Sequence, residues 1–123
     1  MIRSRNLDAE AGRWSEPTKL AASGTAAFSW KNPTKNEVYV DKVLINVTTA
    51  AASKTVDVGV HTSATGSSSN NELADNADLT STLTTIIEEG TTVAKGSYVV
   101  GTLSAEDTTL VAYVYVHYKE LTF

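Results

Sequence analysis

The residues able to do chemistry are few. The 123-residue chain has no cysteine and only two histidines, His61 and His117. Without cysteine there is no disulfide framework, no thiolate nucleophile and no Cys-ligated metal. Alternation on a strand puts Asp57 and His61 on one face, the beginning of a Ser-His-Asp arrangement, but no nucleophile elbow or oxyanion geometry accompanies them. The run Asn70, Glu72, Asp75, Asn76, Asp78 is rich in the oxygen ligands that calcium uses. Its spacing departs from the D-x-[DN]-x-[DN]-G loop, so a solvated loop with a capping role is the simpler reading and no metal is assigned. No Gly-rich phosphate loop, HExxH or carboxylate pair stands out. Asn46-Val47-Thr48 matches a glycosylation acceptor but falls inside a strand, with no secretion signal ahead of it. The residues indicate no enzyme and no cofactor.

The aromatic side chains carry more information. Trp14, Trp30, Tyr39, Tyr98, Tyr113 and Tyr115 could stack on sugars, fill a core or anchor a protein interface. Trp30 alternates with Phe28 and reads as core. Tyr113 and Tyr115 share one strand face, where an interface, a second core face and a sugar platform all stay open.

The elements that must position these groups are strands. Leu110–Tyr118 (LVAYVYVHY) runs without a turn-former and is apolar on both faces, which places it centrally with a core on one side and a further covering on the other. Thr25–Trp30 reads as a first strand. Glu37–Thr49 reads as a long strand whose apolar face switches near Lys42, as a bulge or a bend between two sheets would cause. Thr55–His61, Thr84–Glu88, a short segment at Val93, and Tyr98–Leu103 follow, separated by turn signals. Gly66–Asp78 reads as a polar loop with a short helical turn at Glu72–Asn76. The pattern predicts an all-β fold: a single β-sandwich, with a jelly roll as its arrangement, over residues 25–123. Residues 1–24 mix charge with Ala, Ser and Gly and read as an extended N-terminal arm. Its sparse apolar anchors Ile2, Leu7, Trp14 and Leu20 need backbone pairing or a partner's surface to hold it.

Charge narrows the partners. The net charge of −4 divides into +1 through Lys19 and −5 beyond it, and Lys95 is the one basic residue between Thr55 and Tyr118. Such a body repels phosphate backbones, so nucleic acid is not the expected partner. MIRSRNLDAEAGRW lacks a secretion signal's apolar run, and no stretch is long and apolar enough to span a membrane. The expectation is a soluble chain made in the cytoplasm, with no membrane partner.

Three stretches, VDKVLINVTTAAASKTVDVGVHTSAT, SSSNNELADNADL and KGSYVVGTLSAEDTTLVAYVYVHYKEL, together resemble the capsid decoration, or cement, proteins of tailed bacteriophages. The resemblance covers roughly Val38 to Leu121 and leaves out the arm. It implies a structural virion protein, often a trimer, assembled in the host cytoplasm and clamped on the outer capsid surface against the major capsid protein. The residues expected at protein interfaces are then Ile2, Arg3, Arg5, Leu7, Trp14 and Leu20 of the arm and Tyr113, Tyr115 and His117 of the last strand. The rival reading is a carbohydrate- or receptor-binding module of a tail fibre or adhesin.

Overall fold

Period-two apolar patterning becomes strands throughout. The structure, a computed structural model, describes residues 12–21, 27–65 and 71–121. Within them lie ten strands: β1 (Arg13–Trp14), β2 (Thr18–Lys19), β3 (Phe28–Lys31), β4 (Val38–Thr49), β5 (Thr55–His61), β6 (Ala74–Asp78), β7 (Thr84–Ile87), β8 (Thr91–Val93), β9 (Tyr98–Leu103) and β10 (Val111–Glu120). They form two antiparallel sheets, and no helix occurs among the described residues. The first sheet runs β1-β10-β4-β7, with β2 also on β10 and β8 also on β4; the second runs β3-β9-β5-β6.

One core fills the space between the sheets, as in a β-sandwich. The inner row of β10, Ala112, Val114 and Val116, faces Phe28, Val56, Val58 and Val99 of the second sheet, and all are essentially inaccessible to solvent. Gly101 stands opposite Phe28 in the ladder, and a Cβ there would lie 3.1 Å from the Cβ of Phe28. The missing side chain makes room for the phenyl ring. Trp30 packs against this core and tilts onto Tyr118 with ring centroids 4.9 Å apart.

The face switch expected near Lys42 is a bulge. His117 pairs with Lys42 and Tyr118 with Val40, leaving Asp41 as the extra residue. That one insertion lets Val38 and Val40 on one side, and Val43, Ile45 and Val47 on the other, all point into the same core. The strand therefore stays within one sheet.

The segment expected to be loop with a helical turn is in part a strand. β6 pairs with β5, Thr55 opposite Asp78 and Val58 opposite Ala74. Asn76 takes a positive φ of 53°, and its amide donates to the Asp57 carboxylate at 2.7 Å across an irregularity in the ladder. Buried Leu73, Ala74 and Leu79 anchor the segment at both ends. Polar ADNAD conceals the strand because its pairing rests on these flanks and on one side-chain acceptor.

A buried amide organises the turn between β3 and β4. Asn32, 3% exposed, donates through Nδ2 to the carbonyls of Asn36, Val93 and Ala94 at 2.9, 3.1 and 3.3 Å. Its Oδ1 accepts from the amide and hydroxyl of Thr34, both at 2.9 Å.

Candidate interaction surface

The outer face of the first sheet is built by strand register. Residues directly opposite in antiparallel strands project to the same side. Three rows result. Lys19, Tyr113, Asn46 and Thr84 form the first, with the Thr84 hydroxyl on Asn46 Oδ1 at 3.1 Å. Tyr115, Leu44 and Ile86 form the second, and Trp14, His117 and Lys42 the third. Tyr39 continues the face opposite Lys119 and Thr92. Among the described residues the large apolar side chains most open to solvent are Trp14, Tyr39, Leu83 and Ile86. Three of those four, Trp14, Tyr39 and Ile86, lie on this one face.

The third row is the most organised part. Trp14 meets the His117 ring edge-on, with centroids 4.8 Å apart. His117 is 8% exposed, and its Nδ1 lies 2.5 Å from Asp41 Oδ1, the bulge having turned the Asp41 carboxylate towards it. Lys119 Nζ stands 3.9 Å from the other Asp41 oxygen. On the opposite, core-facing side of the sheet the Arg13 guanidinium lies over the Tyr118 ring at 5.8 Å. The Ser15 amide donates to the Val116 carbonyl at 2.8 Å, and the Val116 amide donates to Ser15 Oγ at 2.9 Å. Further along, the Leu20 amide donates to the Ala112 carbonyl at 2.9 Å. The N-terminal segment thus edges its own sheet from Arg13 onward.

The expected interface residues fall into three groups. Ile2, Arg3, Arg5 and Leu7 lie outside the described residues. Trp14, Tyr113, Tyr115 and His117 come together on the outer face, the two tyrosines half-buried. Leu20 is 3% exposed inside the chain's own core, so its apolar character is explained without a partner. Sequence reading missed Leu44 and Ile86 on this surface and named Tyr39 among the candidate aromatics without placing it at an interface. Ile86 and Leu44 become neighbours of Tyr115 only through register between strands distant in sequence.

Glu72, Asp78 and Asp107 have structural tasks. Glu72 accepts from the Val60 amide at 3.0 Å. Asp78 Oδ1 accepts from the hydroxyl and amide of Thr80 at 2.6 and 2.9 Å, and Asp107 holds Thr109 in the same way at 2.6 and 2.8 Å. The threonine hydroxyl first, and then its amide, lower both carboxyl pKa values by favouring the ionised form. Among the described residues no three acidic or histidine side chains converge as a metal site would require. What this surface offers is apolar contact flanked by charge, which suits binding a folded partner.

No protein-family model matches the chain, and no curated protein matches it. Among solved structures, it is similar to a chain of the acidic stable capsid structure of Helicobacter pylori bacteriophage KHP30. The TM-score is 0.55 at 17% identity, over 91% of this chain and 94% of that one. Identity this low makes the likeness one of fold.

Proposed function

We propose that this protein is a structural component of a tailed-phage virion, a decoration or cement protein bound to the outer capsid surface. The observation that carries the reading is the fold shared, nearly end to end, with a chain of a phage capsid structure. The strand order supports it further. On this reading β1 and β2 act as one leading strand, and their pairing with β10 matches a jelly roll, whose first strand pairs with its last. Residues 13–19 then act as an opening strand that joins the sandwich of residues 25–123.

Attachment would use the outer face of the first sheet. Tyr115, Leu44, Ile86 and Trp14 supply apolar area, while Lys19, Lys42 and Lys119 favour a partner whose matching surface is acidic. Aromatic anchors of this kind carry much of the energy at protein interfaces. The expected partner is the major capsid protein, with the chain itself as a homotrimer straddling shell subunits.

Purified protein incubated with cognate phage shells that lack it tests the reading. Saturable cosedimentation is expected, and Ile86→Glu, on a residue 51% exposed, should abolish it while leaving the fold intact. Glycan binding that depends on Tyr113, without any affinity for shells, would favour the receptor-binding alternative.

A further inference from the structure

The two long edges of the sandwich are finished differently. At one, Leu20 enters the core, and the Ala21 amide donates to the Ala27 carbonyl at 2.8 Å. At the other, β7 edges the first sheet and β6 the second, and no further strand pairs with either among the described residues. A groove of about 660 Å³ opens between them. Its floor includes Ile45, Leu83 and Ile87, and its rim carries Asp75, Asp78 and Glu89, with no basic side chain in the lining. Leu83 is 46% exposed there, an apolar side chain with nothing over it among the described residues.

We infer that this groove receives the segment Ile2–Leu7 of a second copy of the chain. The argument is charge complementarity between two parts of one sequence. Met1–Leu7 carries Arg3 and Arg5, no acidic residue, and apolar Ile2 and Leu7. An extended segment laid along the free edge of β7 would gain backbone hydrogen bonds, as in strand addition. The arginines would meet the carboxylate rim in charge-assisted pairs, while an apolar anchor covers Leu83 and Ile87.

The strand order favours a neighbour over the chain's own groove. β1, from which the segment departs, lies at the opposite edge of the first sheet from β7. Three strand spacings, about 14 Å, separate them, so self-insertion would need residues 8–12 to run nearly fully stretched across the sheet, whereas a neighbour's groove sets no such demand. Donor and acceptor at opposite edges make a head-to-tail contact, and such contacts close into rings when the rotation permits. This deepens the homo-oligomer part of the proposed function and rests on it.

The chain's lack of cysteine permits a clean test. Full-length Arg5→Cys and full-length Leu83→Cys are prepared separately, mixed and mildly oxidised. The expected result is a covalent heterodimer, suppressed at least fivefold by Arg3→Glu in the first protein or Glu89→Lys in the second. Absence of the heterodimer overturns the proposal. So does a double variant, Arg5→Cys/Leu83→Cys, that closes only within single chains at high dilution and high concentration alike. Shell cosedimentation is measured on the same variants. Binding retained without the cross-link sinks the groove and spares the capsid reading; a cross-link without binding does the reverse.

Discussion

Trp14 stands edge-on over His117 at 4.8 Å, and His117 in turn holds Asp41 at 2.5 Å. Three segments far apart in sequence meet at this imidazole: the N-terminal segment, the long bulged strand and the last strand. The bulge that keeps both halves of β4 facing the core also frees Asp41 to reach His117. Core packing and surface organisation therefore share one irregularity.

Asp41→Ala should destabilise the fold by about 1–3 kcal/mol, because it removes the acceptor from a nearly buried ring nitrogen. Asp41→Asn keeps a polar atom in place and should cost less. Urea unfolding of the three proteins checks the order, and a midpoint for Ala equal to that of wild type would show the contact to be idle.

Gly12→Ala should release the N-terminal segment from β10. Gly12 has φ +69°, and a Cβ there would come within 2.6 Å of His117 Cε1 and 2.9 Å of the Tyr118 carbonyl oxygen. Left-handed backbone alone costs a non-glycine residue of order 1–3 kcal/mol in strain. Amide exchange at Ser15 and Val116 should speed up at least tenfold, while that of Val58 and Val99 in the second sheet should change little.

Asn32→Asp should be more damaging than Asn32→Ser. The amide satisfies three carbonyls, and a carboxylate would set negative charge against the same oxygens inside a site that is 3% exposed. A loss of at least about 2–3 kcal/mol is expected, the scale of a buried polar group left unmatched. Thermal unfolding measures it.

Acid should erode stability through Asp78 and Asp107. Both carboxyls titrate below the ordinary value of 3.8 in the folded chain, chiefly because of the hydroxyls of Thr80 and Thr109. A depressed folded pKa gives stability that is fully present above the unfolded value and is lost as pH falls through the folded one. Thr109→Ala should therefore destabilise at pH 7 and lose its effect well below pH 3.8. Carboxyl-carbon NMR titration should show the Asp107 midpoint moving up in that variant, and an unmoved midpoint would contradict the assigned cause.

The long strands were legible because period-two alternation is a local property. Thr55–His61 and Tyr98–Leu103 fall where alternation puts them, and the bulge announced itself as an apolar face switching at Lys42. β6 was not legible, since Ala74–Asp78 is held by Leu73 and Leu79 outside it and by Asp57 on another strand. Tyr113, Tyr115 and His117 could be read as one surface because they alternate along a single strand, whereas Trp14 joins them only through the pairing of β1 with β10. Leu44 and Ile86 could not, because their place beside Tyr115 depends on the register of β4 and β7, which no local pattern encodes. The pairing of residues 13–19 with β10 was hidden for a similar reason: it hinges on backbone geometry at Gly12.

The most direct measurement of the central claim is quantitative cosedimentation with cognate phage shells that lack this protein, comparing wild type with Ile86→Glu and Tyr115→Asp. Saturable binding by wild type, at a fixed ratio to capsid subunits and lost in both variants, is the predicted result. A folded wild-type protein that stays in the supernatant at every concentration, or binding indifferent to both substitutions, would contradict it.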